Sequence, residues 1–471
     1  MGAMKRTASL AERLALVVGA DGVLSGDGVP GELAHDEGLS SVPRAPVAVV
    51  MPSTAAQVVE IVAVARELGA PITARGSGTG LSGGCVPSPG GFVVSFARMN
   101  RILEIDDANH VAVAQPGVTL AELEDAIEPR DLMYPVYPGE QSASLGGTVN
   151  TNAGGMRAVR YGVTRNNVLG LEMVLGTGEL VRSGGKHVKS STGYDLTQLV
   201  IGSEGTLGLV TEVTARLRPS LRHRATVLAP FASLELLAAA VPPVLASGLD
   251  PAILEYIDTL TMSSITSSGD FGLGASLEVA SSTSAYLLVM LEQVSSTRVS
   301  QDVEELGHIL SKAGAIDVFA LPGRAAASLI AARERAFYTA KAAGAHEIVD
   351  VVVPRDRLAV YLEAAGRLAA VHGCLCVGCG HAGDGNIHLS VFQPDAEIRE
   401  GFLVALFRTA MDLGGAISGE HGIGTAKKEA FLHLEDASRI AVMRRIKAVF
   451  DPLGILNPDK VLGPDPGGAG A

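Results

Sequence analysis

Arg75-Gly76-Ser77-Gly78-Thr79-Gly80 follows the strand-like run Pro71–Ala74 and continues directly as Leu81-Ser82-Gly83-Gly84. Successive glycines let backbone N–H groups turn toward one point, an anion-binding nest suited to a pyrophosphate. The spacing is not that of a Walker loop, which closes on Gly-Lys-Ser/Thr, and the helix-opening context of a dinucleotide fingerprint is absent. Taken by itself, such a loop reads equally well as a flexible turn.

Working outward, the glycine pattern recurs. Pro138-Gly139-Glu140-Gln141-Ser142 leads through Ser144 to Leu145-Gly146-Gly147, then to Asn150-Thr151-Asn152-Ala153-Gly154-Gly155 and Arg160-Tyr161-Gly162. Further on come Ser190-Ser191-Thr192-Gly193-Tyr194-Asp195-Leu196 and the run from Ile201-Gly202-Ser203-Glu204-Gly205 to Val210. Around these loops, Val47–Met51, Val111–Ala114 and Glu172–Leu175 read as strands, and Ser203–Val210 leads into another. Ala55–Leu68 reads as an amphipathic helix. The pattern is α+β with frequent turns, not a βαβ series.

After Pro219 the composition changes. Helical periodicity over Leu234–Leu245, Val299–Lys312 and Leu358–Val371 alternates with strands at Tyr286–Glu292 and Ile348–Val353. This predicts a second α/β domain on antiparallel strands, with helices on one face. The expected division is 1–219, 220–430 and a C-terminal helical segment 431–471 returning to the first domain. Asp436–Phe450 is that segment's helix, Gly454–Leu462 a fixed tail and Pro464–Ala471 a frayed end.

Composition narrows the function. The chain has 471 residues, 47% hydrophobic and 18% charged, with 56 glycines and a net charge of −13, so it is globular and multidomain. Nucleic acid is excluded as a partner for want of concentrated Lys and Arg. Four cysteines make no disulfide framework for this length. No signal peptide and no uninterrupted apolar run of membrane-spanning length is present, which predicts a cytoplasmic protein, with docking on a membrane complex left open.

Chemistry-bearing residues cluster late. Cys379-Gly380-His381-Ala382-Gly383-Asp384-Gly385-Asn386-Ile387-His388 carries two histidines on either side of an Asp-Gly turn signal, so they can face each other across a tight bend. Gly415-Ala416-Ile417-Ser418-Gly419-Glu420-His421-Gly422 adds a carboxylate and an imidazole. Two histidines and a glutamate with an open position match a catalytic divalent site. On residues alone, a satisfied structural side chain is the stronger reading of each histidine. Cys374, Cys376 and Cys379 offer a rival cysteine–metal reading, but a cluster takes four thiolates and one other cysteine remains.

In this order, the motifs resemble the FAD-binding domain of the vanillyl-alcohol-oxidase-type flavoproteins. Within that family they are most similar to the D-lactate, glycolate and D-2-hydroxyglutarate dehydrogenase branch, from about Pro43 to Leu462. The resemblance implies a two-part FAD-binding domain, an α/β substrate (cap) domain with an antiparallel sheet, and the C-terminal return. It places Arg75–Gly80 at the pyrophosphate, and Pro138, Gly139, Ser142, Ser144, Gly147, Asn152 and Gly162 along the flavin ring and its chain. Glu204, Val210 and Asn457 complete that cofactor set. His381, His388 and Glu420 match metal ligands, with zinc favoured and manganese or iron also suited. His421 matches the base that takes the hydroxyl proton while hydride passes to flavin N5. Arg333 matches the substrate-carboxylate arginine and Asn386 a polar residue beside the metal.

Two positions depart from the branch acting on D-2-hydroxyglutarate, whose threonine and lysine are here Phe337 and Ile348. That predicts a monocarboxylate: D-lactate, glycolate or a longer apolar analogue. No histidine lies in the glycine loops, so FAD is expected without a covalent tether. The alternatives are a D-2-hydroxyglutarate dehydrogenase, a non-redox flavin transferase and a non-catalytic FAD subunit of a glycolate-oxidase-like complex. Expected partners are a quinone, cytochrome, electron-transfer flavoprotein or iron–sulfur acceptor, with a homodimer allowed.

Overall fold

Local signals decide where the first helices begin and end. Helix α1 (Leu10–Val18) opens on a capping box, Ser9 and Glu12 each accepting from the other's backbone N–H. Helix α2 (Ala55–Leu68) opens on Thr54, which accepts from the Gln57 N–H, and stops at left-handed Gly69. The computed structural model describes residues 9–267 and 281–464. Residues 465–471, most of the expected frayed end, lie outside them.

Strands β1 (Val23–Ser25), β2 (Ala48–Val50), β3 (Ile72–Arg75) and β4 (Phe92–Ser95) form a sheet in the order β1-β2-β4-β3, with β4 parallel to both β2 and β3. The crossover helix α2, between β2 and β3, buries Val58, Ile61, Val62 and Ala65 against the sheet. A second sheet contains β5 (Ile102–Asp106), β6 (Val111–Ala114), β7 (Val168–Val174), β8 (Leu180–Gly184) and β9 (Leu209–Arg216), ordered β5-β6-β9-β7-β8 and antiparallel throughout. Helix α3 (Leu145–Thr151), capped by Ser144, packs into its core through Leu145 and Val149.

The third sheet has seven strands. They are β10 (His223–Phe231), β11 (Ile253–Asp258), β12 (Ala285–Gln293), β13 (Phe319–Leu321), β14 (Glu347–Val352), β15 (Leu375–Gly380) and β16 (Asn386–Phe392). Their order is β13-β10-β12-β11-β15-β16-β14, with every pairing antiparallel.

Helices cover both faces of this sheet, not the single face expected. On one side lie α4 (Leu234–Ala246), α6 (Ser296–Lys312), α9 (Leu358–His372) and α10 (Ala396–Asp412), packed on Val227, Ala229, Leu287 and Val289. On the other, α5 (Thr259–Thr266) and α7 (Gly323–Glu334) pack on Leu228, Ile257 and Leu288. The reason is visible in β10 and β12, which are apolar at successive positions and so present two apolar faces. The short helix α8 (Ala336–Ala342) continues from α7 across the mouth of the candidate site.

The chain then returns. Helix α11 (Ala437–Phe450) places Phe450 in the core of the second sheet, while Ile455 and Leu456 enter that of the first. Leu456 forms a parallel bridge with Ile72. Among the described residues, no helix is long and apolar enough to cross a membrane.

Candidate active site

Two clefts meet in the middle of the molecule. The first encloses about 1380 Å³ of space, open solvent at its mouth included. Its walls are largely backbone: Arg75–Gly80 from the end of β3, Ser144–Gly147 from the start of α3, Ala153-Gly154, and Gly205. Close approach explains the glycines. A Cβ at Gly76 would fall 1.9 Å from the Ser144 hydroxyl, and Gly78 holds φ +81° where a Cβ would strike the Arg75 guanidinium. That guanidinium is already engaged, donating to the carbonyls of His35 (2.7 Å) and Glu32 (2.9 Å). An anionic cofactor here would therefore rest on backbone N–H groups. On the wall, Asn457 donates to the Glu204 carbonyl (2.7 Å), while its own Oδ1 is buried without a partner. A nest of N–H groups and an unpaired acceptor fit a flavin dinucleotide.

The second cleft, about 930 Å³ with its open mouth, lies over the third sheet. The hairpin β15–β16 builds its reactive end. Gly385, at φ +81°, makes the turn and packs where a Cβ would lie 2.0 Å from the Val353 carbonyl. The N–H groups of Asp384, Gly385 and Asn386 all donate to the His381 carbonyl. The two histidine rings are thereby brought edge to face at 5.0 Å. Both Nε2 atoms lie 3.2 Å from Glu420 Oε1, and the three side chains offer ligand atoms all within 4.8 Å of one another. Each Nδ1 faces a carboxylate: His381 meets Glu255 at 2.5 Å, and His388 stands 3.9 Å from Asp350. Imidazoles so backed present their Nε2 to a common point, the arrangement of a divalent-cation site.

Two fully buried carboxylates that the sequence reading did not single out organise this end. Glu255, on β11, contacts His381 on one side and the Arg333 guanidinium (2.6 Å) on the other. Asp350, on β14, accepts from Ser418 Oγ (2.8 Å), Asn386 Nδ2 (2.8 Å) and the N–H groups of Gly419, Glu420 and His421. Both sit within apolar strand runs, Ile253-Leu254-Glu255-Tyr256-Ile257 and Val349-Asp350-Val351. A carboxylate there must have a buried partner, and that is the signal by which sequence could have found them.

The loop carrying Glu420 and His421 is also held from the flavin side. Glu204 accepts from the N–H groups of Ile423 (2.7 Å) and Gly424 (2.8 Å), and Ser82 Oγ donates to the His421 carbonyl (2.9 Å). Glu420 and His421 consequently line both clefts.

Charge follows geometry. Burial pulls the His381 imidazole down, but Glu255 and Glu420 outweigh it and raise it well above its ordinary range. Burial likewise raises Glu420, yet His381 and His388 hold it well below the usual carboxylate range. His381 is thus held as an imidazolium between the Glu255 and Glu420 carboxylates, and a divalent cation would displace its proton on binding. Burial pushes His421 down to about 4, against the pull of Asp350, so its imidazole is neutral near neutrality.

The expected residues fall into three groups. Arg75, Gly76, Ser77, Gly78, Thr79, Gly80, Pro138, Gly139, Ser144, Gly147, Glu204, Val210 and Asn457 line the first cleft. Arg333, Phe337, Ile348, His381, His388, Glu420 and His421 line the second. Ser142, Asn152, Gly162 and Asn386 line neither. Ser142 is exposed and bonds Glu140, Asn152 caps α3 in a left-handed turn, and Gly162 ends a short helix. The Asn386 amide donates to Asp350 and to the Val351 carbonyl (2.8 Å each), so it positions Asp350. Thr148, Asn150, Thr151, Ala153 and Gly154, from the glycine-rich stretch between Pro138 and Gly162, also line the first cleft. Among the described residues, the groupings able to hold a metal contain no cysteine.

Residues 46–184 match the FAD binding domain family, and residues 220–461 the C-terminal domain of FAD linked oxidases. An FAD-linked oxidoreductase of Mycobacterium tuberculosis, itself uncharacterized, is 52% identical over 96% of this chain and 98% of its own length. A D-lactate dehydrogenase of Archaeoglobus fulgidus is 38% identical, covering 88% of this chain and 91% of its own. The solved structure of 4-ethylphenol oxidase from Gulosibacter chungangensis superposes with a TM-score of 0.78 over 97% of both chains at 18% identity, a likeness of fold.

Proposed function

As the chain belongs to the FAD-linked oxidase family, an oxidoreductase family with the two-domain vanillyl-alcohol-oxidase-type fold, we propose that it oxidises a D-2-hydroxy monocarboxylic acid to the 2-oxo acid. The observation that carries this reading is the position of His421. It borders the flavin cleft and the histidine cluster together, so a substrate held beside it touches both.

When bound, FAD supplies the acceptor for the α-carbon's hydride and a divalent cation supplies charge that favours loss of the hydroxyl proton. His381, His388 and Glu420 would hold that cation. His421 takes the hydroxyl proton. Arg333, fixed by Glu255, orients the substrate carboxylate at the cleft wall. Phe337 and Ile348 give the rest of the substrate apolar surroundings.

Among the described residues lining the second cleft, no lysine or arginine besides Arg333 is offered to a second carboxylate. Lys341 is drawn to Glu37 at 2.6 Å, and His346 Nδ1 accepts from the Gln393 N–H, so neither replaces the lysine of dicarboxylate-specific relatives. This favours a monocarboxylate over D-2-hydroxyglutarate. The intact His381, His388 and Glu420 set favours a redox enzyme over a flavin transferase or a non-catalytic subunit.

FAD is held without a covalent bond. Cys85, the thiol on the first cleft's wall, is pushed up to about 12 by burial, which keeps it protonated and unreactive. Acid precipitation accordingly releases yellow flavin, and colour retained in the pellet would implicate Cys85. The substrate test compares kcat/KM for D-lactate, D-2-hydroxybutyrate and D-2-hydroxyglutarate with a dye acceptor. A tenfold preference for the dicarboxylate would refute the pocket assigned to Phe337 and Ile348.

A further inference from the structure

Resting on the reading above, we propose that the second cleft is shaped for 2-hydroxy acids with an extended apolar chain, about six to ten carbons long. Strand register supplies the argument. Cys379 on β15 and Asp350 on β14 both pair with His388 on β16, forming one row across three strands. Side chains two residues apart share a face, so the next row on that face is Val377, Ser390 and Ile348, again directly paired. One step further along β16 stands Phe392. All four of these side chains line the cleft.

At a strand rise of about 3.3 Å per residue, the second and third rows lie roughly 7 and 13 Å beyond His388. Glycolate and lactate end at the first row. A longer chain runs on over the next two.

The far rows offer that chain a neutral lining. The charged side chains of the cleft gather at the reactive end: Glu334, Glu420 and His421 border the flavin cleft as well, and Arg333 and His381 share Glu255. The cleft is also lined by Ala336 and Ala340 of α8 and by Ala343 just past its end, small residues that leave room a larger side chain would fill. The Thr339 hydroxyl, on the same helix, is turned to the Arg335 carbonyl. Each methylene buried there tightens binding up to about fourfold.

The test uses the FAD- and metal-loaded full chain and two readouts. Unreactive straight-chain carboxylates from acetate to decanoate are titrated by calorimetry, and kcat/KM is measured for the matching D-2-hydroxy acids. Octanoate binds at least tenfold tighter than butyrate, and D-2-hydroxyoctanoate outruns D-lactate at least tenfold. Ser390→Phe on β16 and Ala340→Phe on α8, each checked for folding by thermal melting, move both optima to shorter chains. An affinity series flat with length, or optima unmoved in both folded variants, overturns the proposal. If D-lactate outruns the longer acids, the chain-length claim falls and the dehydrogenase reading stands. If no 2-hydroxy acid reduces the flavin while carboxylate affinity still rises with length, the dehydrogenase reading falls and the apolar cleft stands.

Discussion

Where the first cleft is walled by backbone at Gly76–Gly80 and Gly146-Gly147, the reactive end of the second is built from side chains of five separate segments, some on its wall and some buried behind it. These are Glu255 on β11, Arg333 on α7, Asp350 on β14, the His381–His388 hairpin and the Glu420-His421 loop. A backbone site depends on what is absent, since a single Cβ blocks it. A side-chain site depends on partners, since each imidazole needs a carboxylate behind it and each buried carboxylate a cation or donor. Damage to the first should therefore cost flavin. Damage to the second should cost metal and rate, with the flavin left in place.

His421→Asn gives the sharpest separation. The variant keeps its flavin but loses about 10²–10⁴-fold in kcat, the usual loss on removing a general base. A loss below threefold in steady-state assays would assign the proton to another group. Next in size is Glu255→Gln. Glu255 lines neither cleft, yet it fixes His381 Nδ1, so metal affinity measured by chelator competition falls about 10–100-fold. Unchanged affinity would reduce Glu255 to a partner of Arg333 alone.

Gly76→Ala tests the other region. Its Cβ meets the Ser144 hydroxyl, and overpacking of this kind costs roughly 1–3 kcal/mol, read as an about 5- to 150-fold weaker flavin affinity with metal affinity intact. Equal loss of both would show that the clefts assemble as one unit through Glu204 and the Ile423-Gly424 amides. The smallest effect is expected at Ser142. Being exposed and outside the cleft, Ser142→Ala should stay within about 0.5 kcal/mol in flavin affinity, and a larger loss would restore it to the cofactor wall.

The same difference governs what could be read from sequence. Helix α2 was legible to the residue because Thr54 and Gly69 are local signals, and the flavin cleft because glycine runs follow a strand. The two histidines were legible through the Asp384-Gly385 turn. Ser142, Asn152 and Gly162 were drawn into the cofactor set by sitting in the same glycine-rich stretch, although Asn152 and Gly162 serve backbone turns. Glu255 and Asp350 stayed hidden because their partners lie 126 and 71 residues away, at His381 and at the His421 N–H. Their one local trace is a charge inside an apolar strand. The second helical layer on the third sheet was hidden for a related reason: continuous apolar strands say that both faces are covered, but not by what.

Joined at Glu420 and His421, the two clefts are expected to act as one redox site. The most direct test is anaerobic mixing of the flavin-loaded protein with a D-2-hydroxy acid, metal-replete and metal-depleted, following the flavin's visible absorption in a stopped-flow cell. Rapid bleaching is expected in the replete protein and, on depletion, a loss of rate restored by adding back the divalent cation. Bleaching at the same rate in both, with flavin bound throughout, would contradict a single redox site.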